Sequence, residues 1–351
     1  MMFEKPFSRR KFLKYSLIGT SALFTQAFKP YFGADDEQYS NNLARVCSAT
    51  LSVYSEPSDK SKILYQRTRD EVISIYDDVI SDEGPSYNPL WYRVWSGYVH
   101  SAYLQRVQIR YNPIEVIIPP GGLLAEVTVP VTQTMRKIGD ARWDPVYRLY
   151  YESVQWVTGV ENGPDNQLWY KLKDELLEVE YDVPAEHLRI IRPEELEPIS
   201  PDIPGHKKRL EVSIANQTVK AFEFDKLVFE THVSTGVPNR NPDPNGIPTD
   251  TPKGKFNIQS KMPSKHMGNG QLTNEVFAYE LPGVPWTCFF EPITGVAFHG
   301  TYWHRNFGLQ MSRGCVNMKT EEAKWLFRWA TPPSDANTVE KRGFGTEVIV
   351  T

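Results

Sequence analysis

Cysteine is scarce in this sequence, with three residues, Cys47, Cys288 and Cys315, among 351. Three thiols cannot all pair within one chain, so at least one of them is left without an intramolecular disulfide. The sequence also contains no Cys-x-x-Cys pair and no His-Glu-x-x-His pattern, either of which would have indicated a zinc site. We therefore expect neither a metal ion nor another cofactor.

The sequence also lacks a large net charge and, after its N-terminal segment, a long apolar run. The formal net charge is −4, which provides no field that would favour nucleic acid as a partner. Beyond the N-terminal segment, no stretch approaches the ~20 apolar residues that cross a bilayer. The sequence is instead rich in proline (27), tyrosine (18) and tryptophan (9), a composition that favours a turn-rich β protein with extracellular duties.

The N-terminal segment indicates export. Residues 8–14 (Ser-Arg-Arg-Lys-Phe-Leu-Lys) are basic, residues 15–28 are mildly apolar and residues 35–37 are acidic, which is the order found in a secretory leader. The adjacent Arg9 and Arg10 resemble a twin-arginine (Tat) signal, the route of proteins exported already folded. This resemblance implies an extracytoplasmic protein in the cell wall or close to the membrane. No clear Ala-x-Ala site follows, so cleavage of the leader and its retention as an anchor both stay open.

Two parts of the chain repeat one pattern of short strands and turns. The segment Leu-Trp-Tyr-Arg-Val at 90–94 returns as Leu-Trp-Tyr-Lys-Leu at 168–172, an offset of 168 − 90 = 78 residues. The two copies also end alike, at 101–105 and at 184–189. Such self-similarity predicts two tandem small β-barrels. They resemble bacterial SH3-like modules, and the resemblance implies contact with wall glycan or peptide.

The last part of the chain has the pattern of a sheet with one helix. A segment rich in proline and glutamate, 193–205, predicts a stiff linker before it. Alternating apolar residues at 210–214 and 219–224 predict a hairpin. Apolar residues spaced three and four apart after an N-cap at Thr320 predict the helix; they are Ala323, Leu326, Phe327 and Ala330.

A potential nucleophile and a potential base occur close together in this part. Cys315 belongs to the run Ser-Arg-Gly-Cys-Val-Asn at 312–317, and His299 begins the run His-Gly-Thr at 299–301, thirteen residues earlier (312 − 299). A thiol attacks as thiolate, and at an ordinary pKa of ~8.5 it needs a base or positive surroundings to reach that form. We expect His299 and Arg313 to supply both.

These two motifs resemble the YkuD-type catalytic domain of L,D-transpeptidases, over residues 206–351. The segments Thr-Pro-Lys-Gly-Lys-Phe at 251–256 and Phe-Gly-Thr-Glu-Val at 344–348 fit the same family. The predicted fold is mainly β, with two tandem SH3-like small barrels before a β-rich YkuD-like sandwich that has one clear helix. The predicted organisation is a leader and linker at 1–40, modules at 44–109 and 121–192, a linker at 193–205 and the catalytic domain at 206–351.

The resemblance implies roles for individual residues. Cys315 would be the nucleophile and His299 the general acid and base, with the backbone N–H groups near Gly314 as an oxyanion hole. Loop and oxyanion roles are also implied for Ser312, Arg313 and Asn317. Substrate contacts are implied for Gly300, Thr301 and His304.

Two of these positions leave alternatives open. His304, five residues after His299, is a competing base. Arg313 stands where many members carry histidine, and its fixed charge would either lower the thiol pKa or hold a carboxylate. Many relatives also carry a tyrosine on the strand before the catalytic histidine, where Phe289 stands here.

The implied activity is peptidoglycan L,D-transpeptidation, in which Cys315 attacks a stem tetrapeptide, D-Ala leaves and a neighbouring stem captures the acyl group in a 3→3 cross-link. The implied partners are donor and acceptor stem peptides, and inhibition by carbapenems is expected. The implied biological role lies in cell-wall organisation and cell shape. Two alternatives remain, an L,D-carboxypeptidase that uses the same residues and a catalytically silent wall-binding protein.

Overall fold

The computed structural model describes residues 42–139, 142–239 and 246–351. The predicted export leader and linker at 1–40 lie outside these residues, as does part of the polar loop that follows 239. Among the described residues, no helix has the length and apolar character needed to span a membrane.

Residues 43–107 form eight strands in two sheets. The strands are β1 (Leu43–Val46), β2 (Thr50–Tyr54), β3 (Ile63–Thr68), β4 (Val72–Ser74), β5 (Asp77–Ile80), β6 (Leu90–Val94), β7 (Gly97–His100) and β8 (Leu104–Val107), with a 3-10 turn at Ser101–Tyr103. One sheet has the order β4-β1-β8 and the other has the order β3-β2-β7-β6-β5. The alternation of buried and exposed residues in β2 is what a strand with one face on a core requires.

Residues 123–190 form one seven-stranded sheet. Its strands are β9 (Leu123–Val127), β10 (Val131–Ile138), β11 (Arg142–Tyr150), β12 (Val154–Asn162), β13 (Leu168–Lys173), β14 (Glu180–Pro184) and β15 (Leu188–Ile190), with a 3-10 turn at Ala185–His187. The order is β11-β10-β14-β13-β12-β9-β15, and all recorded pairs are antiparallel. The repeated tryptophans that suggested two copies, Trp91 in β6 and Trp169 in β13, are both buried.

The last part of the chain contains two five-stranded sheets. Its strands are β16 (Lys208–Ser213), β17 (Thr218–Glu223), β18 (Lys226–His232), β19 (Gly254–Asn257), β20 (Ser260–Gly268), β21 (Glu280–Glu291), β22 (Val296–Gly300), β23 (Val316–Met318), β24 (Lys341–Arg342) and β25 (Glu347–Val350). The orders are β18-β17-β16-β25-β19 and β23-β22-β21-β20-β24. The hairpin predicted from 210–224 is the pair β16–β17.

One α-helix, α1 (Thr320–Trp329), lies among the described residues and packs on β21 and β22. Its N-cap is Lys319 and no side chain caps it, so the predicted cap at Thr320 is one residue late. The predicted apolar stripe is buried, because Ala323, Leu326 and Phe327 face the core.

The last part of the chain shares its core with the preceding sheet. Leu124 and Trp156 of that sheet belong to the same buried cluster as Trp286 and Phe327. Leu196, in the proline-rich segment between the two, is buried in this cluster as well. That segment includes two 3-10 turns, Pro193–Leu196 and Gly205–Lys207.

The prediction of a mainly β protein with a β-rich last domain and one clear helix is confirmed for the described residues. The SH3-like character of the first two parts and the domain boundaries stay predictions. The two sheets of 43–107 and the single sheet of 123–190 are compatible with them.

Candidate active site

Two adjacent parallel strands bring the predicted base and nucleophile together. In β22 and β23, Phe298 pairs with Val316 and His299 pairs with Asn317. Cys315 immediately precedes β23 and therefore lies beside β22, the strand that contains His299. We call β22 together with residues 312–317 the floor of the site.

Backbone hydrogen bonds fix the floor from within the last part of the chain. Ser234 and Asn317 exchange both of their backbone hydrogen bonds, at 2.9 Å each. The Ser312 N–H donates to the Thr235 carbonyl at 3.1 Å, and the Val237 N–H donates to the Ser312 carbonyl at 3.0 Å. The run 312–317 is therefore part of the sheet framework rather than a loose loop.

Two glycines allow this close packing. Gly314 has a φ of +115°, a region that side-chain-bearing residues rarely adopt. A Cβ on Gly236 would lie 2.8 Å from the backbone nitrogen of Gly314. Thr251 ties the two together, because its hydroxyl donates to the Gly314 carbonyl at 2.7 Å and accepts from the Gly236 N–H at 2.8 Å. The segment 251–256 picked out in the sequence thus supports the floor.

The Cys315 thiol is free and partly buried. Burial raises the pKa of Cys315 to about 11, and the backbone N–H of Ala297 only partly offsets this effect. Its Sγ lies 3.7 Å from the Gly295 carbonyl. The thiol of the free protein is therefore protonated at neutral pH.

His299 is buried and neutral. Burial lowers the pKa of His299 to about 4. Its Nδ1 lies 3.0 Å from the Gly300 carbonyl, which can only accept, so Nδ1 carries the proton and Nε2 keeps its lone pair. The ring packs against Trp303 with centroids 5.7 Å apart. A neutral imidazole with a free lone pair is the form that a general base requires.

His304, the competing base, has its ring nitrogens engaged elsewhere. The Asn306 N–H donates to its Nδ1 at 3.2 Å, and the side-chain amide of Asn317 lies 2.9 Å from its Nε2. Burial, with a contribution from His299, lowers the pKa of His304 to about 3. This arrangement favours His299 as the base and makes His304 and Asn317 a pair that braces β23.

Cys315 and His299 line the same cavity, which has a volume of about 160 Å³. The residues that line it are Met267, Tyr279, Leu281, His299, Trp303, Met311, Ser312, Arg313, Cys315 and Asn317. We call residues 267–281, the end of β20, the start of β21 and the loop between them, the wall of the site. The cavity thus has a floor with the reactive groups and a wall that faces them.

Arg313 lies over the wall rather than over the thiol. Its guanidinium carbon is 4.8 Å from the centroid of the Tyr279 ring. Burial raises the pKa of Cys315, and the charge of Arg313 does not lower it. Of the two roles open for Arg313, holding a carboxylate at the cavity rim is the one this geometry favours.

The backbone donors near the thiol are not equivalent. The Gly314 N–H donates to the Ser312 hydroxyl at 3.2 Å, and this hydroxyl in turn donates to the Cys315 carbonyl. The Cys315 N–H makes no hydrogen bond among the described residues and remains available to an incoming oxyanion.

Gly300 and Thr301 do not line the cavity that holds Cys315. A Cβ on Gly300 would lie 2.8 Å from the Pro285 ring, so this glycine serves packing. Thr301 lines a separate cavity of about 260 Å³ together with His304 and Glu152. Burial and the nearby Glu321 raise the pKa of Glu152 to about 7 in that cavity.

Sequence reasoning missed the wall. Tyr279 supplies a hydroxyl-bearing ring to the lining of the cavity, whereas Phe289 does not line it. Tyr279, Met267 and Leu281 stand far from the two motifs in sequence, and no local pattern marks them.

Residues 207–350 match the family model described as the L,D-transpeptidase catalytic domain, YkuD. The last part of the chain is therefore a YkuD L,D-transpeptidase catalytic domain. No curated protein matches the chain.

Several solved L,D-transpeptidases are similar to part of this chain. A crystal structure of a cysteine-to-serine mutant from Enterococcus faecium is 22% identical and covers 42% of this chain and 50% of its own, with a TM-score of 0.30. One from Mycobacterium smegmatis is 17% identical over 50% of this chain and 73% of its own, with a TM-score of 0.32. An LD transpeptidase in complex with imipenem is 14% identical over 69% and 100%, with a TM-score of 0.30. The chain spans about half the length of the enterococcal structure.

Proposed function

We propose that this protein is a peptidoglycan L,D-transpeptidase that forms 3→3 cross-links through an acyl-enzyme on Cys315. The observation that carries the proposal is the shared cavity of Cys315 and His299 inside the domain that matches the YkuD family. A thiol and a neutral imidazole at one cavity are the minimum that acyl transfer needs.

In the acylation step, Cys315 attacks the carbonyl between the third residue of a stem tetrapeptide and its terminal D-Ala. Nε2 of His299 takes the thiol proton as the carbon–sulfur bond forms, because the thiol is protonated in the free protein. The Cys315 N–H is the donor proposed to hold the oxyanion. His299 then gives its proton to the amine of D-Ala, which leaves, and the thioester remains.

In the transfer step, the side-chain amine of a diamino acid on a second stem attacks the thioester. His299 accepts a proton from this amine, the new amide forms and the Cys315 sulfur leaves and recovers the proton. Arg313 at the rim is suited to hold a carboxylate of one of the two stems. The same site would react with carbapenems, because their strained carbonyl acylates a thiol in the same manner.

We further propose that the protein acts after export through the Tat route, in the cell wall or near the membrane, where peptidoglycan lies. The residues before the catalytic domain would then contact wall glycan or peptide. Cross-links of this kind would contribute to wall organisation and cell shape.

The test is incubation of purified wild-type and Cys315→Ala proteins with tetrapeptide muropeptides, followed by mass spectrometry of the products. We expect cross-linked dimers and free D-Ala with the wild type and neither with the variant. Tripeptides without dimers would instead identify an L,D-carboxypeptidase. The absence of both products, together with the absence of a carbapenem adduct on Cys315, would identify a silent wall-binding protein.

A further inference from the structure

A buried histidine joins two carboxylates beside the wall of the site. Nδ1 of His266 lies 2.6 Å from Oδ2 of Asp174, and its Nε2 lies 2.9 Å from Oε2 of Glu280. The three side chains are 1–3% exposed. We call these three residues the charged bridge.

The chemistry of the bridge requires a protonated histidine. An ionised carboxylate can only accept hydrogen bonds, so both ring nitrogens must donate and the ring carries a positive charge. Burial opposes this charge, but the hydrogen bonds and charges of Asp174 and Glu280 outweigh burial and raise the pKa of His266. Burial likewise opposes the charge of Asp174, yet the His266 ring lowers the pKa of Asp174.

The other titratable groups around the ring do not replace these partners. The Tyr147 ring packs edge-on against His266, with centroids 5.4 Å apart. Glu175 pairs with Lys265 at 2.7 Å and accepts the backbone N–H of His266. Burial also keeps the hydroxyl of Tyr147 neutral. The two carboxylates of the bridge are therefore the groups that set the charge of His266.

The two ends of the bridge belong to different parts of the chain. Asp174 lies after β13, outside the catalytic domain, and its Oδ1 accepts the backbone N–H groups of Leu176 and Leu177 at 2.9 Å each. Glu280 starts β21, and its Oε1 accepts the Gln271 N–H at 2.9 Å. Asp174 is thus fixed next to the preceding sheet, and Glu280 ties the start of β21 to Gln271 in the loop of the wall.

The bridge residues alternate with residues of the cavity. His266 is followed by Met267, and Glu280 stands between Tyr279 and Leu281; all three of these neighbours line the cavity of Cys315. Successive side chains of a strand point to opposite faces. Holding His266 and Glu280 on one face therefore directs Met267 and its cross-strand partner Leu281 into the cavity, and Tyr279 directly precedes the anchored Glu280.

We propose that Asp174, His266 and Glu280 are positioning residues, through which the sheet of residues 123–190 holds the wall in place over Cys315. They touch neither the thiol nor His299 and would act through Tyr279, Met267 and Leu281. This role rests on the proposed function for its effect on catalysis, but the holding of the wall is independent of any activity.

The pH dependence follows from the direction of the pKa shifts. The raised pKa of His266 means that its contribution is complete below the ordinary histidine value and is lost as pH rises through the folded value. The lowered pKa of Asp174 means that its contribution is lost as pH falls through the folded value of that carboxyl. The wall is expected to loosen above the folded pKa of His266.

The experiment compares the full-length wild type with Asp174→Asn, Glu280→Gln and a matched control, Glu178→Gln. Glu178 lies in the same loop as Asp174, and its exposed side chain pairs only with Lys173 among the described residues. Hydrogen exchange is followed by mass spectrometry for the peptide that spans the wall and for one that spans β16 and β17. The rate at which iodoacetamide alkylates Cys315 is measured on the same samples.

In either bridge variant we expect wall exchange and Cys315 alkylation to become about tenfold faster, since a buried charged hydrogen bond is lost. The peptide over β16 and β17 and the Glu178→Gln control should match the wild type. On a tetrapeptide substrate, KM should rise with a smaller change in kcat, because the pocket loosens while Cys315 and His299 stay in place.

Unchanged wall exchange in both variants would overturn the proposal, and so would faster exchange spread over the whole chain. If neither variant folds, the wild type decides: exchange of the wall, corrected for intrinsic base catalysis, must accelerate as His266 deprotonates. A wild type without activity that still shows the expected exchange and alkylation would refute the proposed function and leave the holding of the wall intact.

Discussion

The floor and the wall of the cavity are built on different principles. The floor is fixed by backbone hydrogen bonds and glycine packing inside the catalytic domain, through Ser234, Gly236 and Gly314. The wall is held by side-chain charges and contacts from outside that domain, through Asp174, Tyr147 and Arg69. Neutral backbone pairing does not depend on pH, whereas a charged bridge does. The chemistry of the site thus belongs to the domain, and the shape of its entrance depends on the rest of the chain.

The largest expected effect comes from the nucleophile on the floor. Cys315→Ala removes the atom that carries the acyl group, and we expect kcat to fall by ~10³-fold or more. The rate of dimer formation from muropeptides measures this loss, with Cys288→Ala as the control thiol. Retention of more than a tenth of the wild-type rate would remove Cys315 from the mechanism.

The next largest effect separates the two histidines of the site. His299→Gln removes the free imidazole lone pair and should lower kcat by ~10²–10⁴-fold, the range expected for a general base. His304→Gln disturbs the hydrogen bonds to Asn317 and Asn306 but leaves the His299 imidazole in place, and a drop of less than about tenfold is expected in the same assay. A reversed order of the two losses would make His304 the base.

A glycine packed against the floor should matter more for stability than a glycine elsewhere. Gly236→Ala places a methyl group 2.8 Å from Gly314 and should lower the free energy of unfolding by about 1–3 kcal/mol, the usual cost of overpacking. Gly121→Ala has nothing within 4 Å of the added carbon and should change it by less than about 0.5 kcal/mol. Urea unfolding of both variants measures the difference, and equal losses would contradict a tightly packed floor.

The reactivity of the free thiol should follow its raised pKa. Because burial raises the pKa of Cys315 to about 11 and lowers that of His299 to about 4, the resting pair is neutral. Alkylation of Cys315 by iodoacetamide should therefore accelerate about tenfold per pH unit from pH 7 to 10. A rate that is flat across this range would indicate a preformed thiolate–imidazolium pair.

The smallest effect is expected at the tip of the wall. Nη1 of Arg69 donates to the Val276 carbonyl at 3.1 Å, and its guanidinium lies 5.2 Å from the centroid of Phe277, which is 70% exposed. Arg69→Gln should change KM by less than about threefold, since contacts this exposed contribute little. A larger change would mean that the residues before the catalytic domain control the wall more strongly than the charged bridge alone implies.

The sequence predicted the floor and not the wall, for a physical reason. His299 lies in β22 and Cys315 directly precedes β23, and these two strands are adjacent. Two short sequence motifs were therefore enough to predict that the two residues lie close together. The hairpin β16–β17 and the stripe of α1 are local patterns of the same kind. Asp174, His266 and Glu280 come from segments up to 106 residues apart (280 − 174), and each of them alone is an ordinary polar residue.

The pKa of the Cys315 thiol could not be predicted from the sequence either. The expectation that Arg313 and His299 would both favour a thiolate ignored burial, which decides the protonation of both Cys315 and His299. Arg313 is only two residues before Cys315 in the sequence (315 − 313), but its guanidinium packs on the Tyr279 ring instead. The fold, not the sequence, decides where the Arg313 side chain points. Closeness in sequence therefore does not lead to a lowered thiol pKa.

The burial of the two remaining cysteines has a practical consequence. Cys47 and Cys288 are enclosed, and burial raises the pKa of Cys288 to about 12 and that of Cys47 above its usual value. Neither competes with Cys315 for a thiol-directed probe under native conditions. The unmodified protein can therefore be labelled at a single position, so that molecules with a reactive Cys315 can be counted in a preparation without engineering.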